Sequence, residues 1–259
     1  MKIYYISNPS GQLQASIDFV KAIVAGIESN YPRVDKAGAW ALNHRVLRDV
    51  PPHSDDARPN YAYSYQHLLH VTTISADRTY NLIQSPAQRL QNGTGAQSSL
   101  TPQALIASIP LSQTDAHFAL LVNQMPLLWS PQRLLDVTNA NIYQAGEFFI
   151  HVGELRSRRQ GHASNTNNSP GVVVCICTHV GSPEADIDDS SIPADESPTD
   201  FEYAQESIRD IWNTIKKDLI LGRSEVREYM QIAQDFGRDE EQAREAVVRV
   251  WCEALGPRP

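Results

Sequence analysis

Cysteine is scarce in this sequence, with three cysteines among 259 residues. An odd count, with Cys175 and Cys177 separated by one residue, does not make a disulfide framework and favours a reducing compartment. Long apolar runs are also missing, since no window approaches the roughly 18 consecutive apolar residues of a membrane span. The first residues lack the apolar core of a secretory signal peptide, so we expect none.

The chain also has fewer basic than acidic side chains. The chain has 22 lysine and arginine residues against 30 aspartate and glutamate residues, which gives a formal net charge of -8 and a pI near 5.4. Strong nucleic-acid binding needs a basic face. Arg156, Arg158 and Arg159 form a small basic group beside a loop, where a solvated strand end is expected. We therefore expect no direct contact with nucleic acid.

Motifs that carry catalysis or bind cofactors are absent. The sequence has no P-loop, no G-x-G-x-x-G and no G-x-S-x-G. Glu147 and Glu154 are seven residues apart, so on one regular strand they would face opposite sides. Cys175, Cys177 and His179 alternate along a strand, but side chains at i and i+2 start about 6.6 Å apart, too far for thiolates on one zinc. We predict no catalytic residue, no metal site and no cofactor.

Apolar periodicity indicates an α+β fold. Strands are predicted at 3–6, 37–50, 61–75, 79–85, 171–180 and twice within 126–159, and helices at 12–29, 114–124, 201–221, 224–236 and 238–255. Ser10 is the predicted N-cap of the first helix. Successive strands with few helices between them indicate a mainly antiparallel sheet that curls into a barrel-like form flanked by helices, with a helical C-terminal tail.

Composition divides the chain into three parts. Residues 1–180 are predicted to form the barrel-like domain, with a polar insertion at 86–102 that is rich in Gly, Ser, Gln and Asn. Residues 181–200, acidic and interrupted by prolines, are predicted to be a flexible linker. The helices of 201–259 are expected to pack on the barrel.

Three motifs in the first 160 residues resemble those of a known family. They are GAWALNHRVLRDVP at 38–51, HFALLVNQMPLLWSPQR at 117–133 and FFIHVGELR at 148–156. In this order they resemble the fungal form of subunit 20 of the Mediator complex. The chain departs from that pattern in having Asn139-Ala140-Asn141 where an Asn-Gly turn is expected, and in the insertion at 86–102.

The resemblance implies a non-catalytic role in the nucleus. Such a subunit has a barrel-like antiparallel fold related to that of subunit 18. It forms a heterodimer with subunit 18 and is anchored to subunit 8 in the Mediator head module, within a complex that relays activators to RNA polymerase II. The implied mechanism is association, in which a partner buries an exposed apolar face with aromatic anchors.

We predict that the partner-binding residues are Leu128, Trp129, Phe149 and His151. Two other functions stay open from sequence alone: a barrel-fold phosphohydrolase, and a DNA-binding saddle like the TATA-binding protein. Metal-dependent nucleotide hydrolysis would identify the first, and salt-dependent DNA affinity the second.

Overall fold

The computed structural model of the chain describes residues 1–51, 61–85, 105–158, 168–178, 198–231 and 240–257. These residues form four α-helices and nine β-strands. The helices are α1 (Leu13–Asn30), α2 (Thr114–Ala119), α3 (Pro198–Ile215) and α4 (Glu240–Leu255). The strands are β1 (Lys2–Ser7), β2 (Val34–Asp49), β3 (Tyr65–Val71), β4 (Arg78–Gln84), β5 (Leu105–Pro110), β6 (Trp129–Ala145), β7 (Phe148–Arg158), β8 (Gly171–Thr178) and β9 (Val226–Met230).

All nine strands join one antiparallel sheet in the order β5-β4-β3-β2-β6-β7-β8-β1-β9. This confirms the predicted α+β class and the antiparallel character of the sheet. Strands β5 and β9 are its two ends, and no ladder joins them within the described ranges. No described helix is both long and apolar enough to cross a membrane.

Helices cover both faces of the sheet. On β1, Ile3 and Tyr5 belong to the core under α4, whereas Tyr4 and Ile6 belong to the core under α1 and α3. Neighbouring residues of a strand point to opposite faces, so a strand covered on both sides is apolar throughout. This explains why 3–6 and 171–178 are continuous apolar runs. The Tyr4 ring stacks on Trp212 of α3 with centroids 4.4 Å apart.

The helix predicted at 224–236 is wrong over its first part, because Val226–Met230 is the strand β9. This strand pairs with β1, with Tyr4 opposite Glu228. The buried Lys2 ammonium donates to Glu228 Oε1 at 2.9 Å, which joins the two strands through their side chains. Residues 226–230 have only a weak helix preference. Pairing with the free edge of β1 satisfies backbone hydrogen bonds of both strands, and this outweighs that preference.

Two local predictions are also wrong. Ser10 does not cap α1, because the N-cap is Gln12 without a side-chain cap bond, and Ser10 Oγ donates to Asn8 Oδ1 instead. Residues 139–141 do not form the hairpin turn, because they lie inside β6. The chain turns at residues 146–147, where Gly146 has a φ of 62° that favours glycine.

Other predicted elements are confirmed with different bounds: the α-helices predicted at 114–124 and 201–221 end at Ala119 and Ile215. The pair predicted at 61–75 and 79–85 is confirmed as β3 and β4, which are shorter. Strand β5 was not predicted and pairs with β4. The insertion lies outside the described residues, as does most of the linker, although 198–200 already belong to α3.

Candidate subunit interface

An unusual share of the exposed apolar side chains lies around α2. Five of the nine large hydrophobic side chains that are exposed in the described residues fall within 111–128. They are Leu111, Leu120, Met125, Leu127 and Leu128. Leu127 is 74% exposed and Leu128 59%. Clustered exposed apolar side chains, unlike single ones, are typical of surfaces that bind another protein, a ligand or a membrane.

Helix α2 is fixed to the sheet by its opposite side. Phe118 of α2, and Leu121 of the π-helical turn Leu120–Gln124 that continues it, are buried against Leu47 of β2 and Leu68 of β3. A hydrogen bond of 2.6 Å also joins the buried hydroxyls of Thr79 and Thr114 at the start of the helix. Residues three positions apart share one face of a helix, so with residues 118 and 121 inward Leu120 lies on another face, where it is 45% exposed.

We name residues 125–128, which follow the helix, the apolar loop. Its backbone is held by three hydrogen bonds of 3.0 Å: the amides of Leu128 and Trp129 donate to the carbonyl of Met125, and the amide of Val50 donates to the carbonyl of Leu128. The two leucine side chains are thus presented by an ordered turn. Binding through such a turn loses little conformational entropy.

The structure places the four predicted partner-binding residues in two regions. Leu128 is exposed in the apolar loop, and Trp129 is half-buried beside it against the α2 cluster. Phe149 is half-buried on β7, and His151 is only 7% exposed. Residues 148–152 of β7 pair with residues 141–145 of β6, whereas Trp129 lies at the other end of β6. The four residues therefore do not form one surface patch.

His151 is enclosed by the core. Its ring lies 5.8 Å from that of Trp40, and its Nδ1 has no hydrogen-bond partner among the described residues. Burial lowers the pKa of His151 to about 4. At neutral pH the ring is therefore uncharged and nearly inaccessible, which leaves little of it for direct contact with a partner.

This burial predicts a loss of stability in acid. Between pH 6.5 and 4 the unfolded chain protonates His151 whereas the folded chain does not, so its contribution is complete above about pH 6.5 and falls with pH. The full loss is about 3 kcal/mol of unfolding free energy. Urea unfolding at a series of pH values should show a flatter profile for His151→Gln than for wild type.

The half-buried His117 of α2 provides the control for this experiment. His117→Gln should keep most of the wild-type slope. Burial also lowers the pKa of His44, so part of the slope remains in both variants. A His151→Gln profile identical to wild type would contradict the assignment.

Glu147 and Glu154 lie in different elements, and Arg156 and Arg158 each have a carboxylate partner. Glu147 lies in the turn before β7, which corrects its predicted place on a strand, while Glu154 lies within β7. Glu154 accepts a hydrogen bond from Arg156, and Arg158 forms an ion pair of 2.6 Å with Asp136. These pairs reduce the positive charge at this strand end. Cys175 and Cys177 share a face of β8, and His179 lies outside the described residues.

A cleft of about 640 Å³ lies at the start of α1, between β1, β9 and the end of α4. Its lining includes Arg133, Arg223, Glu225 and Arg227 but no histidine, cysteine or aspartate. Arg133 donates to the carbonyls at the end of α4, and Arg227 pairs with Glu225 at 3.1 Å. The Glu225 carboxylate in this lining is thus held in an ion pair with Arg227.

Sequence reasoning selected Leu128 but not its neighbour Leu127, nor Met125 and Leu120. A signal was present, since Leu127-Leu128 follows Pro126 directly after the helix and fits neither a helical nor a strand period. Only the packing of α2 shows that these apolar side chains stay outside the core.

Comparisons with known proteins place the chain in context. A family model described as "TATA-binding related factor (TRF) of subunit 20 of Mediator complex" matches residues 16–250. A search of curated proteins finds no match.

Two solved structures are similar in part. The PH1819 protein from Pyrococcus horikoshii OT3 matches with a TM-score of 0.35 and 8% identity, over 88% of this chain and 93% of that one. A chain of the Schizosaccharomyces pombe Mediator head module matches with a TM-score of 0.35 and 7% identity, over 84% of this chain and 95% of that one. Likeness at this level does not establish a shared function.

Proposed function

This chain belongs to the family of subunit 20 of the Mediator complex, and from that premise we propose that it forms a heterodimer with subunit 18 and is anchored through subunit 8 in the head module. Its function is that of a non-catalytic Mediator subunit, supporting regulation of RNA polymerase II transcription through protein association. The proposal includes localisation in the nucleus. It also includes that the chain is of the fungal form of this family, which the three ordered motifs support.

The observation that carries the proposal is the exposed apolar loop. Leu127 and Leu128 are 74% and 59% exposed on a hydrogen-bonded turn. Apolar side chains at the centre of a protein interface supply much of its binding energy. We place the contact with the partner subunit here, with Leu128 and Trp129 from the predicted set and Leu127 added. His151, buried beside Trp40, then acts through the core behind β7, whereas the half-buried Phe149 stays a proposed contact residue.

Direct binding to nucleic acid is not part of this proposal. The net charge is -8, and the guanidinium groups of Arg156 and Arg158 each have a carboxylate partner. A protein that grips DNA phosphates needs uncompensated positive charge. A phosphohydrolase would need an array of metal-binding carboxylates, whereas Glu147 and Glu154 are about 23 Å apart along an extended chain.

We also retain the barrel-like form and the three-part organisation (1–180, 181–200 and 201–259) as proposals. Curvature is supported by α4, which contacts β3 and β4 near one end of the sheet order and β1 and β9 at the other. In a flat sheet β4 and β1 would lie about 29 Å apart, whereas a helix of this length spans about 24 Å. A sheet that curls toward α4 brings both within reach.

Co-purification tests the proposal. Co-expression of the tagged chain with Mediator subunits 18 and 8 should yield a stable complex that elutes as one species in size-exclusion chromatography. The chain expressed alone should be less soluble, because its apolar loop stays exposed. A stable monomer that binds neither subunit would contradict the proposed partners.

A further inference from the structure

Two histidines and a cysteine meet in the core at a distance from the apolar loop. His44 lies on β2, His67 on β3 and Cys252 in the last turn of α4. The two histidines are 0% exposed and the cysteine 2%. One ring nitrogen of each histidine and the Cys252 sulfur all lie within 4.8 Å of one another. Three different elements therefore bring together groups that are typical transition-metal ligands.

The environment of these groups suits coordination. His44 Nε2 lies 3.0 Å from His67 Nδ1, and the rings stack with centroids 5.2 Å apart. The other nitrogen of the His44 ring, Nδ1, is buried without a hydrogen-bond partner among the described residues. A single ring proton on Nδ1 leaves Nε2, the nitrogen nearer to His67, as the metal-binding atom.

We propose that His44, His67 and Cys252 bind a zinc ion that fastens α4 to β2 and β3. In a tetrahedral zinc site with bonds of about 2.0–2.3 Å, ligand nitrogens lie about 3.3 Å apart, and nitrogen and sulfur about 3.6 Å apart. The observed separations approach these values, so small side-chain movements complete the geometry. Water completes the fourth position. Imidazole and thiolate together favour zinc over magnesium or calcium, which prefer oxygen ligands.

Charge and proton balance are consistent with this site. On binding, the Cys252 thiol releases its proton to solvent, and each imidazole keeps its single proton on the nitrogen turned away from the ion. The cation lies at the C-terminal end of α4, where the helix dipole is negative. The positive charge of Arg133 lies nearby, but its guanidinium donates to the carbonyls of Leu255 and Gly256. Those bonds direct it to the helix end.

The test uses the full chain without a polyhistidine tag. After incubation with excess zinc and desalting, elemental analysis should give about one zinc per chain. Cobalt(II) in place of zinc should give a thiolate-to-cobalt charge-transfer band together with the visible bands of a tetrahedral site. Zinc should raise the Tm by about 5 °C, and a chelator should reverse the rise.

Variants locate the ion. His44→Gln and Cys252→Ala should each lose the metal and the zinc-dependent rise in Tm, and Cys252→Ala should also lose the charge-transfer band. Cys175→Ala is the matched control, because Cys175 is buried in the same core but on β8. It should keep all three signals. The wild-type cobalt spectrum does not depend on whether any variant folds.

The proposal is overturned if the folded wild-type chain retains less than about a tenth of one zinc per chain. It is also overturned if Cys175→Ala loses the charge-transfer band while Cys252→Ala keeps it. Near-ultraviolet circular dichroism verifies the fold in each case, since Trp40 and Trp251 pack together with ring centroids 5.8 Å apart in the same core.

Discussion

Replacing Leu127 and Leu128 together with aspartate is expected to abolish binding to the partner subunit while leaving the fold intact. Burying a leucine side chain contributes about 1.5–3 kcal/mol. These two side chains are 74% and 59% exposed in the free chain, so most of that contribution is still available to a complex. Losing it, and burying two charges instead, should weaken binding by at least about 100-fold.

The measurement is the dissociation constant for the partner subunit, beside the free energy of unfolding of the free chain. Unfolding should change by less than about 0.5 kcal/mol, because the substituted side chains make few core contacts. Ile220→Asp is the matched control, since Ile220 is 89% exposed but lies between α3 and β9. It should bind normally. Equal loss of binding in Ile220→Asp, or wild-type affinity in the double variant, would contradict the assigned interface.

Trp251→Ala is expected to lower the free energy of unfolding by about 3–5 kcal/mol. Trp251 is 1% exposed on α4, and its ring packs against Trp40 of β2 with centroids 5.8 Å apart. The substitution leaves a large cavity between the helix and the sheet. Since a domain is stable by about 5–15 kcal/mol, this single change removes a substantial part of its stability.

Denaturant unfolding measures the loss. Tyr203→Ala is the control, because Tyr203 is an aromatic residue on α3 that is 73% exposed. It should change stability by less than about 0.5 kcal/mol. A cost below about 1 kcal/mol for Trp251→Ala would mean that α4 does not pack on the sheet in solution.

Much of the fold could be predicted because local patterns and tertiary packing agree. The apolar runs at 3–6 and 171–178 became strands covered on both faces. The helical periods of α1, α3 and α4 became the faces that cover them. Strand β9 was missed because Val226 to Met230 has no strong local preference, and pairing with β1 decided its conformation.

The four predicted partner-binding residues remain a prediction, and the structure bears only on where they lie and how exposed they are. Leu128 and Trp129 were selected because they belong to a distinctive Pro-Leu-Leu-Trp segment, and both lie at the apolar loop. Phe149 and His151 were selected by the same reasoning, but β7 takes them to another region, where His151 is buried. Aromatic character alone does not distinguish a core residue from an interface residue, because both kinds of site favour it.

By itself the sequence determined the α+β class, most strands and helices, and the lack of recognisable catalytic motifs. These properties depend on composition and on periodicity within short segments. Tertiary structure decided which apolar residues remain exposed, because α2 packs with Phe118 inward and leaves Leu127 and Leu128 outside. It also brought His44, His67 and Cys252 together from distant parts of the chain. Spatial proximity between distant residues follows from strand register and helix packing, and one-dimensional periodicity does not contain it.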